Sequence, residues 1–304
     1  MFMGLIEYVF LFFIGLAVGS FLNVISLRYK ENGVFSFKTI SGRSHCIKCG
    51  KVLKWYELAP IVSFIIQKGK CRSCKNPISF QYPIVELLSG LAFIFVPIYF
   101  INHKLLFVPQ IFYNNDWSVI ALSLIWLFIF TLFLLLSAID FRLMIIPDGI
   151  NILLGIAGVV NIILQGYILK LKYPSSFIGY YAQLLSPASN FWNNFWLNHL
   201  ISVSIGAIFF GAIIILSKER AMGWGDFKLI VALGLIFTWQ DIIILIMLSF
   251  IIGSFVSIIL MIGKEKGMKD FVPFGPFIAI GSVVVFFFGL QLVNTYFNLF
   301  NIIY

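Results

Sequence analysis

Eight long apolar runs dominate this chain and leave it few ways to fold. They lie at roughly 4–27, 83–102, 118–139, 149–169, 197–217, 227–238, 241–262 and 272–297. About 20 apolar residues in helical conformation match the hydrocarbon thickness of a bilayer. In lipid a helix satisfies every backbone group within its own segment. Only 11% of the residues are charged and 61% are hydrophobic, against about 25% charged in a soluble domain. The expected fold is an all-α polytopic membrane protein of about eight transmembrane helices. The sixth run is short, and Thr238-Trp239-Gln240-Asp241 reads as a tight turn into the seventh. The first run has no positive n-region and no A-x-A site before a soluble domain, so it reads as a retained span rather than a cleaved signal peptide. No internal repeat and no low-complexity tail is visible.

Lysine and arginine set the expected orientation. The stretch between the first two spans carries 11 of the 21: Arg28, Lys30, Lys38, Arg43, Lys48, Lys51, Lys54, Lys68, Lys70, Arg72 and Lys75. Loops on the same side add Arg142, Lys218, Arg220, Lys228, Lys264, Lys266 and Lys269, while the other side holds Lys104, Lys170 and Lys172. The basic side is expected to face the cytoplasm, with both termini outside. The net charge of +9 then needs no nucleic-acid partner; it reflects this bias and attraction to anionic lipid. Residues 171–198, with Tyr173, Tyr180, Tyr181, Trp192 and Trp196, fall outside and read as an interfacial aromatic belt.

All four cysteines lie in the basic stretch, as Cys46-Ile47-Lys48-Cys49 and Cys71-Arg72-Ser73-Cys74 with 21 residues between. Two CxxC pairs at this separation suit a tetrahedral Zn²⁺ held by four thiolates. Gly50 and Gly69 offer the turn freedom each knuckle needs. Two disulfides are the alternative, disfavoured because cytoplasmic thiols stay reduced. Four protein ligands would close the site, which makes it structural. His45 reads as a solvated loop residue, and His103 and His199 as interfacial. The domain division expected is a first helix at 1–27, a cytoplasmic zinc-ribbon-like insertion at 28–82 and a seven-helix domain at 83–304.

Ionisable residues in or beside spans are costly and point to function. Near the inner ends the acids are Glu86, Asp140, Asp148 and Asp226. Asp140 closes the third span and Asp226, in Gly223-Trp224-Gly225-Asp226, opens the sixth. The topology therefore expects both at one depth on one side, an arrangement suited to an aspartyl protease. Two carboxylates sharing a site resist ionising together, so one can activate water while the other polarises the scissile carbonyl. Asp226 could instead cap the helix it opens, and Asp148, after Pro147, reads as a cap or turn residue. Asp140 is harder to explain that way, because a helix C-terminus disfavours anions. Gly223 and Gly225 would let the backbone approach a substrate strand. Pro273-Phe274-Gly275-Pro276-Phe277 reads either as a helix start with proline in its first turn or as an irregular cleft wall for an extended peptide.

These residues resemble the prepilin peptidases of type IV pilus, type II secretion and competence systems, which are GxGD intramembrane aspartyl proteases. The resemblance runs through Gly19-Ser20-Phe21-Leu22-Asn23-Val24, Arg28, the two CxxC pairs, Glu57, Pro60, Ser63, Gly69, Ile78, Tyr82-Pro83 and Glu86. It continues through Asp140, Pro147-Asp148, Gly223–Asp226 with Phe227-Lys228, and Pro273–Phe277. It implies cleavage of the basic leader of prepilins or pseudopilins at the cytoplasmic face, with Asp140 and Asp226 as the catalytic pair. It also implies N-methylation of the new N-terminus from S-adenosylmethionine, a step the family associates with the cysteine-bearing region, here with Glu57, Lys70, Arg72, Tyr82 and Glu86. Lys70 stands where an arginine is common, and the two differ in bidentate binding. Glu57 and Glu86 could attract a basic leader; ion pairing or capping is the alternative for each. A peptidase without methyltransferase activity is one rival reading. A proton-coupled transporter would show paired broken helices and repeat symmetry, and a zinc module that only binds a partner would leave the two aspartates unexplained.

Overall fold

The computed structural model describes residues 4–30, 42–103, 117–169, 171, 174–179, 181–182, 194–263 and 271–299. The described residues form helices and no named strand. They are α1 (Leu5–Arg28), α2 (Val62–Ile66), α3 (Gln81–Asn102), α4 (Trp117–Leu143), α5 (Asp148–Ile163), α6 (Phe195–Ser217), α7 (Trp224–Gly234), α8 (Trp239–Ile262) and α9 (Gly275–Leu299). A single-turn π segment, Leu164–Ile168, prolongs α5. Among the described residues, seven helices are long and apolar enough to cross a membrane. The expected sixth span is instead the 11-residue α7, which at 1.5 Å per residue reaches about 16 Å, half the bilayer core. Of the expected outer aromatic belt, Tyr173, Tyr180 and Trp192 lie outside the described residues, as do Lys38, Lys104, Lys170, Lys172, Lys264, Lys266 and Lys269 of the charge count.

The chain divides into two compact units. One comprises residues 1–99 and 126–143, the other residues 100–125 and 144–304. In the first, α1 packs on α3 through positions that have no room for a side chain. A Cβ on Gly15 would lie 2.7 Å from the Ser89 carbonyl oxygen, and one on Gly19 would lie 2.7 Å from the Glu86 Cα. Lipid gives no hydrophobic reason for helices to associate, so close backbone approach at small residues supplies the dispersion contact. The Asn23 amide adds a hydrogen bond to the Tyr82 carbonyl at 3.1 Å.

In the second unit, α7 lies against α5 and α6 by the same device. A Cβ on Gly158 of α5 would come within 2.8 Å of the Leu235 backbone, and one on Gly234 within 2.7 Å of the Val203 Cα. The buried positions of α5 (Ile150, Asn151, Leu154, Ala157, Gly158, Asn161) recur at helical spacing. At the start of α8, Asp241 is wholly buried. It accepts hydrogen bonds from the Thr238 hydroxyl (2.7 Å), the Ser176 hydroxyl (2.7 Å) and the Phe177 N–H (3.2 Å). A buried carboxylate is tolerable only with such a full complement of donors.

Candidate functional site

The cysteine-bearing segment, in the first unit, is built from two matching knuckles. In one, the Cys46 N–H bonds to the Lys51 carbonyl and Gly50 N–H returns to Cys46; in the other, Cys71 N–H bonds to Asn76 and Lys75 N–H returns to Cys71. The fourth residue after each leading cysteine is left-handed, Gly50 at φ 69° and Lys75 at φ 58°. The isolated bridges His45–Val52 and Lys70–Pro77 close the two loops. All four sulfurs lie within 4.8 Å of one another, and Cys46 and Cys74 are 3.9 Å apart. A tetrahedron with metal–sulfur bonds of about 2.3 Å has sulfurs about 3.8 Å apart, so the four can hold one metal ion with little movement. The site's polarity suits thiolates. Backbone N–H groups of Cys74 and Ser73 bring the Cys71 thiol down to about 6. Those of Cys49 and Lys48 lower Cys46. At Cys74 the Asn76 N–H works the same way, but desolvation and the neighbouring sulfurs prevail and push the thiol up to about 11. That is the pattern of a cluster that cannot ionise fully without a cation in its midst. His45 is exposed and is not one of the four clustered ligands.

Around the knuckles, Glu57 is buried and accepts the Lys54 N–H at 2.9 Å, closing the single-turn helix Trp55–Glu57 on itself. Glu86 is also buried. It accepts the Ile61 N–H at 2.7 Å and a hydrogen bond from the Ser20 hydroxyl. Both acids are therefore committed to backbone groups of their own unit, as caps and braces. Tyr82 is half-buried. Lys70 and Arg72 are exposed, and the Arg72 guanidinium lies 5.3 Å from the centre of the Tyr56 ring, a cation–π distance.

Asp140 sits in the last turn of α4 and is 3% exposed. Two residues on, the Arg142 guanidinium donates to the carbonyls of Leu27 (2.6 Å) and Tyr29 (2.5 Å) at the end of α1. The helix end that carries Asp140 is thus fastened to the first span by a two-pronged donor.

Asp226, in the second unit, is the third residue of α7. The N-cap is Gly223, so Asp226 is not the N-cap residue itself. Its position in the first turn still favours a negative charge. One carboxylate oxygen lies 3.9 Å from where a Cβ on Gly223 would be, and a Cβ on Gly225 would come within 3.2 Å of the Ile146 Cβ. Asp148 is likewise not the N-cap of α5, a place held by Pro147. It pairs with Lys228 at 2.8 Å, with both side chains well exposed, which contributes little stability. Pro273 and Phe274 lead into α9, whose first turn holds Gly275, Pro276 and Phe277, all buried. This is the helix start with proline in its first turn. His199, expected at the interface, is buried in the protein with its Nδ1 3.3 Å from the Gly234 carbonyl.

Four features escaped sequence reasoning. The brace from Glu86 to Ile61 and the Arg142 fork join residues far apart in sequence and leave no local signal. The Asp241 network had one, a threonine three residues before the acid. The α1–α3 approach had another, the Gly15-x-x-x-Gly19 spacing.

Comparison with known proteins places most of the chain in two family models. Residues 13–100 match the bacterial peptidase A24 N-terminal domain, and residues 126–258 match the type IV leader peptidase family. A prepilin leader peptidase/N-methyltransferase of Aeromonas hydrophila is 28% identical over 95% of this chain and 92% of its own. Proteins with the same name from Pseudomonas aeruginosa (27%, 93% and 91%) and Bacillus subtilis (27%, 94% and 96%) are similar throughout. No solved structure matches. With both halves matched and relatives aligned over nearly the whole length, the chain belongs to the type IV leader peptidase family.

Proposed function

We propose that this protein is an intramembrane aspartyl endopeptidase that removes the basic leader of prepilins or pseudopilins and then methylates the new N-terminus. The observation that carries the reading is a family match in two parts. It falls on a chain with one buried acid at the end of a spanning helix and one acid in a Gly-x-Gly-Asp helix start. Asp140 and Asp226 supply the two carboxylates. One, ionised, takes a proton from water as it attacks the scissile carbonyl. The other, protonated, donates to the carbonyl oxygen, and the roles reverse as the amine leaves. Gly223 puts no side chain beside the Asp226 carboxylate, whose nearer oxygen lies 3.9 Å from where a Cβ would be, which suits the approach of an extended substrate strand.

By the lysine and arginine bias, cleavage takes place at the cytoplasmic face, with both termini outside. The parts are a first helix at 1–27, a metal-binding insertion at 28–82 and a protease domain at 83–304. The ion held by Cys46, Cys49, Cys71 and Cys74 is Zn²⁺, closed to substrate and structural. S-adenosylmethionine would be the methyl donor, its sulfonium methyl passing to the free amine with loss of a proton and release of S-adenosylhomocysteine. Glu57, Lys70, Arg72, Tyr82 and Glu86 belong to the part that serves this step, which Glu57 and Glu86 support through the hydrogen bonds that shape it.

The test is cleavage of a purified prepilin by the purified protein, read by mass, with and without S-adenosylmethionine. Asp140→Asn and Asp226→Asn should each abolish cleavage and leave thermal unfolding unchanged. Normal turnover in either variant would refute the catalytic pair. Product that gains no methyl mass would assign a peptidase without methyltransferase activity.

A further inference from the structure

The cysteine-bearing segment of the first unit is small and water-facing by composition, yet it shows large apolar side chains on its surface. Trp55 is 82% exposed, Ile65 67%, Ile66 68% and Phe80 72%, and Val62 is exposed beside them. They are not scattered. Val62, Ile65 and Ile66 belong to the single short helix α2, and Phe80 packs its ring on Phe64 of that helix at 5.5 Å. Contiguous exposed apolar surface of this kind marks a contact with a partner or a membrane.

The depth of α2 decides between them. Its leading residue, Ile61, donates its N–H to the Glu86 carboxylate at 2.7 Å. Glu86 lies five residues into α3, about 7.5 Å along its axis, and a helical side chain points back toward the N-terminus. Ile61 is therefore held beside the first turns of a spanning helix. At that level Ile84 of α3 is 53% exposed, as a lipid-facing residue should be. The chain reaches this position through an unusual turn. Ile61 has φ 59° and ψ −51°, and the Val62 N–H bonds to the Pro60 carbonyl at 2.5 Å. This is a γ-turn of the rare, strained hand, in a β-branched residue for which positive φ is a true outlier. Such strain persists only where surrounding contacts over-determine it, here the Glu86 carboxylate.

The surrounding charge is of one sign. Lys51, Lys54, Lys68, Lys70, Arg72 and Lys75 are all exposed on the same segment. Cations flanking an apolar, aromatic-bearing helix are the make-up of a surface that rests in the headgroup layer of an anionic membrane. Long basic side chains can extend their charge to the phosphates while their stems lie along apolar surface. The same six cations would repel a basic leader peptide, so lipid suits this face better than the substrate does.

We propose that the cysteine-bearing segment docks on the anionic leaflet beside its own spanning helices, with α2, Trp55 and Phe80 seated at the boundary between headgroups and acyl chains. The docking is independent of peptide cleavage and rests only on the chain being membrane-spanning. It would hold the metal cluster against the membrane rather than free in solution.

The full chain in nanodiscs tests this. Ile65→Trp, an apolar change at an exposed position, adds one emitter, and its signal is the difference from wild type. In discs containing phosphatidylglycerol the added emission should be blue-shifted. Lipids brominated near the headgroup end should quench it at least about twofold more than lipids brominated near the bilayer centre, as expected for burial about 5–10 Å into the boundary. A second readout uses the unmodified protein: amide exchange across 61–69 should be slower in phosphatidylglycerol discs than in purely zwitterionic ones, and high salt should narrow the difference. Red-shifted emission that no brominated lipid quenches overturns the proposal. So does protection that appears only when prepilin is added, which would assign the face to the substrate instead.

Discussion

Replacing Glu86 by alanine should free residues 58–69 from the spanning helices without unfolding those helices. The carboxylate accepts the Ile61 N–H at 2.7 Å in a position that is 6% exposed, and it braces a γ-turn that the chain would otherwise avoid. A hydrogen bond to a charged group contributes about 1.5–3 kcal/mol. Its loss corresponds to a rise of about ten- to 150-fold in the local opening equilibrium. Relief of strain at Ile61, worth about 1–3 kcal/mol, acts in the same direction, because the turn can relax once its brace has gone. Glu86→Gln keeps an acceptor oxygen of the same shape without the charge, so its effect should be smaller, near the about 1 kcal/mol of a neutral bond. Native-state amide exchange resolved by peptide reads both variants. The expected order of exchange at 61–69 is wild type slowest, Glu86→Gln intermediate and Glu86→Ala fastest, with the exchange of α3 beyond its first turns unchanged. Equal exchange in wild type and Glu86→Ala would refute the idea that this carboxylate holds the turn. Faster exchange throughout α1 and α3 would show instead that Glu86 serves the packing of the two helices.

Three further outcomes are expected. Gly19→Val should weaken the α1–α3 pair, since a Cβ there would lie 2.7 Å from the Glu86 Cα; overpacking costs about 1–3 kcal/mol, to be seen as a lower thermal midpoint in detergent. Asp241→Ala should cost about 3 kcal/mol or more, because it strands the Thr238 and Ser176 hydroxyls and the Phe177 N–H in a dry environment at about 1–3 kcal/mol each, and urea unfolding would measure it. Cys46→Ser with Cys71→Ser should release the metal, read by elemental analysis of the pure protein. With the metal lost, exchange should rise across 42–80, while a wild type that carries no zinc would overturn the metal assignment.

The helices were legible because lipid imposes a single rule on long apolar runs, and each run became a helix within a few residues of its expected ends. The short sixth run illustrates the limit of that rule. Its apolar character said "span", whereas its 11 helical residues reach only part of the way. What ends it is a turn whose contacts are non-local: the Leu235 backbone lies against Gly158 of another helix, which no reading of residues 227–238 alone could show. The acids divide in the same way. Asp140 and Asp226 stood out because an ionisable residue at a span end calls for a reason wherever it is met. Glu86 and Asp241 stood in the same kind of sequence, an acid in an apolar run, and each accepts a hydrogen bond from distant backbone. The donors on these two come from far along the chain: Ile61 lies 25 positions before Glu86, and Phe177 lies 64 before Asp241. An acid whose donors come from distant backbone looks, in sequence, like an acid kept for chemistry. The cysteines escape this ambiguity. Their four sulfurs come from two local knuckles whose geometry is written in the four residues after Cys46 and after Cys71, so only the meeting of the two knuckles had to be supplied by the fold.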